Sequence, residues 1–123
     1  MTSDKRTKGE DIRRQVMGDH FVDRAFENAS DFDKELQDFV CENGWGSTWA
    51  REGALSRRDK SLITIAFLTA LRANSELKGH VRGALNNGCT SNEIKEVLLH
   101  SSVYCGFPAA VSAFGAAKEV IND

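Results

Sequence analysis

Apolar residues recur at helical spacing along most of this 123-residue chain, and no stretch alternates for long at the two-residue period of a strand. Ile12, Val16 and Met17 form one side of a short predicted helix that stops near Gly18, and Phe21, Val22, Ala25 and Phe26 form one side of the next. Ser30 followed by Asp33 matches a capping box, in which an acid three residues on reaches back to a free backbone N–H. Phe32, Leu36, Phe39 and Val40 follow as an apolar stripe, with Gly44 as the expected stop. Residues 44–54, GWGSTWAREGA, read as a loop carrying Trp45 and Trp49.

Ser56 and Asp59 repeat the capping signature ahead of a run, Leu62 to Leu71, that is apolar on nearly every side. A helix apolar all round must be covered all round, so this one is expected at the centre of the fold and against another subunit. Asn74 or Ser75 is the expected cap of the following helix, which ends at Asn87-Gly88. Thr90 and Glu93 cap a further helix with Ile94, Val97, Leu98 and Ser101 as its buried stripe, broken at Gly106. Pro108 suits a first helical turn, and the last helix is rich in alanine, glycine and serine, which let helices pack closely. The expected fold class is therefore all-α, with a flexible charged arm over residues 1–9 and one helical domain over residues 10–123.

Composition removes several function classes. The formal net charge is −2 at pH 7, so nothing electrostatic favours nucleic acid or an anionic membrane surface as partner. No apolar run approaches the roughly 20 residues that span a bilayer. The polar N-terminal segment lacks the apolar core of a signal peptide. Cys41, Cys89 and Cys105 have neither C-x-x-C spacing nor an even count, which fits free thiols in a reducing compartment and a cytoplasmic location.

Glu76 and His80, four residues apart on a predicted helix, carry the clearest chemistry. That spacing puts both side chains on one face, where a carboxylate fixes the imidazole tautomer and raises its basicity. Such a pair suits proton transfer near neutral pH; the same spacing also occurs in exposed pairs worth roughly a few tenths of a kcal/mol. Among the arginines, Arg72 lies just before this helix and Arg58 just inside the preceding one, and guanidinium groups grip carboxylates bidentately. His100, Trp45 and Tyr104 are further pocket candidates, and His20 is a weaker one. Three histidines without shared spacing do not form a metal set, and Cys105 has no resolving cysteine beside it in sequence.

At residues 55–120 the motifs resemble the carboxymuconolactone decarboxylase family. They are R-x-x-x-L at Arg58, E-L-x-x-H at Glu76, A-x-x-x-G at Ala84, E-I-x-E-V at Glu93 and Y-x-G-x-P-A-A at Tyr104. The upstream LQDFVCENGWGSTWAREGAL resembles the decarboxylase branch, and GDHFVDRA does so less closely, with His20 shifted by one position. Ser112 stands where an asparagine is common in the family. The related alkylhydroperoxidase-D-like branch carries C-x-x-C before the histidine matching His80, whereas Ala73 and Glu76 occupy those positions here.

The resemblance implies cofactor-independent conversion of 4-carboxymuconolactone to 3-oxoadipate enol-lactone and carbon dioxide in protocatechuate catabolism. It also implies a homo-oligomer, a hexamer or a trimer, with no metal. On that reading His80 donates a proton and Glu76 orients it. Arg72 or Arg58 binds the substrate carboxylate, and His100, Trp45 and Tyr104 line the pocket. The competing expectations are a thiol-dependent peroxidase using Cys105 or Cys89, and a non-catalytic oligomer that binds a small molecule.

Overall fold

The structure is a computed structural model and describes residues 3–121. Helix α1 (Asp4–Met17) starts on Ser3, whose hydroxyl accepts from the Arg6 N–H at 3.0 Å. Residues 4–9, expected as a flexible arm, are therefore its first turns: a capped N-terminus and a docked glycine, described below, hold them. Gly18, at φ 93°, separates α1 from α2 (Asp19–Asn28), as the glycine stop anticipated.

The segment after α2 departs from expectation. Ser30 and Asp33 do meet, with the Ser30 N–H donating to the Asp33 carboxylate at 2.7 Å. The Ser30 hydroxyl accepts from Phe32, however, so the pair closes a turn and α3 (Lys34–Phe39) starts only afterwards. Three residues of the expected stripe, Phe32, Leu36 and Phe39, are exposed, while Val40 packs against the core of the first unit. Gly44 does not stop the chain either. Residues 40–49 form a π-helix, Val40–Trp49, where a loop was expected. Such i→i+5 winding usually lasts a single turn, and side chains support it here. The Ser47 hydroxyl donates to the Glu42 carbonyl at 3.2 Å and that of Thr48 to Gly44 at 3.1 Å.

The chain divides into two compact units after Ala54, where a single helical domain over 10–123 was expected. In the first, α1 lies against the π-helix at backbone distance. A Cβ on Gly9 would sit 1.7 Å from the Cys41 carbonyl oxygen, and one on Gly46 would sit 2.3 Å from that of Lys5. Ile12, Val16, Met17, Val22 and Trp45 fill the core beside this crossing. Trp45 and Trp49 stack at 4.7 Å between ring centroids. Buried Arg13 donates to Gln37 at 2.9 Å and lies over the rings of Phe21 and Phe26.

The second unit is a four-helix assembly of α4 (Arg57–Leu71), α5 (Asn74–Asn86), α6 (Ser91–Cys105) and α7 (Phe107–Ile121). Both expected capping boxes form, Ser56 with Asp59 and Thr90 with Glu93. Helix α5 instead starts on Ala73, without a side-chain cap. Ile65, Leu77, Val81, Ile94, Leu98 and Ala113 make the shared core. Helix α7 meets α5 and α6 through Ala109, Ala110, Ala113, Ala116 and Ala117, all buried. Helix α4 is covered on one side only, at Ser61, Ile65 and Thr69, while Phe67 and Leu71 are 63% and 75% exposed. No helix among the described residues is long and apolar enough to cross a membrane.

Two predictions follow from the first unit, which holds both tryptophans of the chain and is therefore read by intrinsic fluorescence. Gly9→Ala forces a methyl into a backbone carbonyl and should cost about 3 kcal/mol or more in denaturant unfolding, with Cys41→Ser far milder. Glu10 is the second probe. Burial alone would raise its carboxyl, but hydrogen bonds from Arg6 and Arg14 outweigh that and hold it below its ordinary 4.5. A depressed carboxylate stabilises the fold above 4.5 and loses that contribution as pH falls through its folded value. Glu10→Gln should therefore lower the unfolding midpoint at pH 7 and lose most of its difference from wild type in acid.

Candidate active site

Glu76 and His80 lie one turn apart on α5. Leu77, Val81 and Ala84, on the side of that helix next to the Glu76–His80 face, are buried in the core, so its rotation is fixed. Glu76 is exposed; His80 is half-buried, and its Nδ1 is shut off from solvent. Side chains at this spacing have Cβ atoms about 5–6 Å apart, within reach of a carboxylate–imidazole contact. Lys78, on another side of α5, is tied to Glu119 of α7 at 2.9 Å, which braces the helix against α7.

Arg72 forms the corner between α4 and α5. Its backbone is left-handed, φ 57° and ψ 33°, and its N–H donates to carbonyls in the last turn of α4. Among the described residues it is the one non-glycine with positive φ. Glycine is the residue that fits such a helix C-cap without strain, and an arginine there costs about 1 kcal/mol. Its side chain is exposed just ahead of the Glu76–His80 helix.

Arg58 is placed differently. Its guanidinium pairs with Glu93 Oε2, while Glu93 Oε1 accepts from the Thr90 N–H at 2.8 Å. One carboxylate thus caps α6 and ties it to α4. The Cys89 thiol donates to the Arg58 carbonyl at 3.5 Å. Burial pushes that thiol above its ordinary 9.0, and the nearby Arg58 only partly offsets the rise. Cys89 is therefore protonated at neutral pH, and Cys41 is buried.

The other candidates separate. Trp45 belongs to the core of the first unit. His100 and Tyr104 are neighbours on α6, with ring centroids 5.1 Å apart, and both are exposed. His100 lines an open, largely apolar pocket of about 380 Å³ between α4 and α6, with Leu62, Ile63, Ala66, Glu96, Val97 and Ser101. Sequence reasoning missed Glu96. It stands four residues before His100, the spacing that singled out Glu76 and His80, and that repetition was visible in the chain. His20 is exposed on α2.

With a helical fold and a Glu–His face established, the chain can be set beside known proteins. The model of the carboxymuconolactone decarboxylase family matches residues 34–119. The chain belongs to that family. Over its full length it is 43% identical to a 4-carboxymuconolactone decarboxylase of Acinetobacter baylyi, covering 92% of that protein. It is 40% identical, over 94% of its length and 80% of the relative's, to the nitrosuccinic acid decarboxylase of Metarhizium robertsii. A peroxisomal protein 2 of Saccharomyces cerevisiae matches 68% of the chain at 30% identity, over 30% of its own length.

The strain at Arg72 is testable apart from any activity. Arg72→Gly relieves the left-handed backbone, so the variant should match wild-type thermal stability or exceed it by about 1 kcal/mol. A clear drop in melting temperature would mean that the side chain is anchored in the fold.

Proposed function

We propose that the protein is a cofactor-independent carboxy-lyase that converts 4-carboxymuconolactone to 3-oxoadipate enol-lactone and carbon dioxide. The observation that carries this reading is the end-to-end 43% identity with a decarboxylase of that name. The Glu76–His80 pair on α5 supplies the chemistry to go with it.

The substrate provides its own electron sink. As the C–CO₂⁻ bond breaks, its electron pair moves into the conjugated unsaturated lactone and gives a dienolate. A proton must then reach the ring carbon beside the lactone carbonyl. His80 is the proton donor in this scheme, and Glu76 positions its imidazole. Arg72 grips the spectator carboxylate; Arg58 is the weaker choice, because its guanidinium is already paired with Glu93. His100 and Tyr104 remain candidates for the pocket wall, whereas Trp45 is packed in the core of the first unit. The enzyme works as a homo-oligomer, a hexamer, a reading supported by the apolar side chains that α4 leaves exposed. Three free thiols favour a cytoplasmic setting.

The thiol-peroxidase reading has little support. Ala73 and Glu76 replace the thiol pair of that branch, and Cys89 is held protonated. A second substrate has a specific observation behind it, the 40% identity with the nitrosuccinic acid decarboxylase.

The test is ultraviolet monitoring of freshly generated 4-carboxymuconolactone, with nitrosuccinate run in parallel. His80→Ala should lower turnover by about 10²–10⁴-fold. Glu76→Gln should lower it less and move the pH profile, as expected of a positioning residue. Arg72→Gly should mainly raise KM. Full turnover by both His80→Ala and Glu76→Gln sinks the residue assignment, and turnover of nitrosuccinate alone replaces the substrate.

A further inference from the structure

Between the first half of α6 and the second half of α7 the second unit leaves an open cavity of about 610 Å³, larger than the pocket of about 380 Å³ between α4 and α6. Small-molecule sites span roughly 300–1,000 Å³. The floor of the cavity is the core itself. Ile94 and Leu98 are 0% and 1% exposed, and Phe114 and Ile121, partly buried, stand beside them. No residue of α5 lines it, so it is separate from the Glu76–His80 face.

Two features of this cavity have no use inside the chain. The first is its charge. The lining holds two cations, Lys95 of α6 and Lys118 of α7, and no acid. Among the described residues neither lysine takes part in an ion pair. The acids close to them in sequence are engaged elsewhere: Glu93 pairs with Arg58, Glu119 pairs with Lys78, and Glu96 lines the α4–α6 pocket. Ser91 and Asn92, in the first turn of α6, also line the cavity, and the N–H groups of a first helical turn favour an anion. The second feature is Gly115, in the middle of α7. Glycine inside a helix is unfavourable, yet no contact requires it here, since a Cβ at this position would meet nothing within 4 Å. Gly115 lines the cavity, and its missing side chain keeps the space open.

We propose that the α6–α7 cavity is a second binding site, for an organic carboxylate whose apolar body rests on Ile94, Leu98 and Phe114 and whose head meets Lys95 and Lys118. A neutral apolar molecule would leave the lysines unused, and an inorganic anion would leave the floor unused. An amphipathic anion uses both. Burial of its body supplies most of the affinity, and charge-assisted hydrogen bonds fix its head at the mouth. A ring and an alkyl chain both present such a body, and the length of the cavity decides between them. The inference does not depend on the decarboxylase reading, because none of the residues assigned to that reaction lines this cavity.

The experiment is calorimetric titration of the full chain at pH 7 and low salt with 2-naphthoate, a ring carboxylate, and with decanoate, a chain carboxylate, each beside its uncharged amide. At least one carboxylate should bind, at one per chain, and the tighter of the two tells whether the site takes rings or chains. Its amide should bind about tenfold more weakly. Lys95→Ala and Lys118→Ala should each weaken the carboxylate roughly threefold, since both side chains are exposed. Gly115→Leu should abolish binding, because the leucine fills the open space, and circular dichroism should show an unchanged helical fold. If neither carboxylate binds wild type, the cavity is not a site for this class of ligand. Undiminished binding by Gly115→Leu places the ligand elsewhere on the molecule and overturns the assignment. An amide that binds as tightly as its acid removes the lysines from recognition, and the ligand class with them.

Discussion

Both units depend on the distance at which helices cross, and small residues set that distance. In the first, Gly9 and Gly46 let α1 and the π-helix meet backbone to backbone, with no room for a methyl at either position. In the second, Gly79 and Gly83 on α5 and a run of alanines on α7 are buried in the helix packing. Close crossing leaves little volume between the axes, so larger side chains gather beside the crossing. Ile65, Leu77 and Leu98 do so in one unit, and Trp45 with Val16 in the other. Dense packing of this kind resists sliding, which makes α5 a rigid platform for the two polar side chains it presents.

Legibility in the sequence followed the range of the physics involved. Capping boxes are local, and Ser56–Asp59 and Thr90–Glu93 form as read. Glycine stops are nearly as local, and Gly18, Gly88 and Gly106 all take positive φ. Errors came where the outcome depends on partners distant in the chain. Residues 4–9 look like a frayed arm until Gly9 is seen against Cys41, a contact 32 positions away (41 − 9). The π-helix has no local signal, since Gly44 and Gly46 read as breakers although Gly46 is there for the approach of Lys5. The exposed stripe from Phe32 to Phe39 has helical spacing, and spacing cannot say whether the chain itself covers it.

The same division holds for the candidate residues. That Glu76 and His80 share a helix face could be read from their spacing, because one helix carries both. The pairing of Arg58 could not, because it is made with Glu93 on another helix. Arg72 was chosen for proximity in sequence, and its left-handed backbone, a property of the α4–α5 corner, came only with the structure. A reaction whose substrate holds its own electron sink asks little of a protein: a cation, a proton and a dry wall.

The π-helix also has a consequence for how this chain can change length. Its i→i+5 winding accommodates one more residue per turn-closure than an α-helix does. Deleting a single residue between Val40 and Trp49 would allow the segment to revert to α-helical winding. The lost residue would come out of the wide turn itself, so the chain on either side could keep its facing. This stretch is thus where the first unit can give up a residue, provided Gly46 keeps its approach to Lys5 and Trp45 its stack on Trp49.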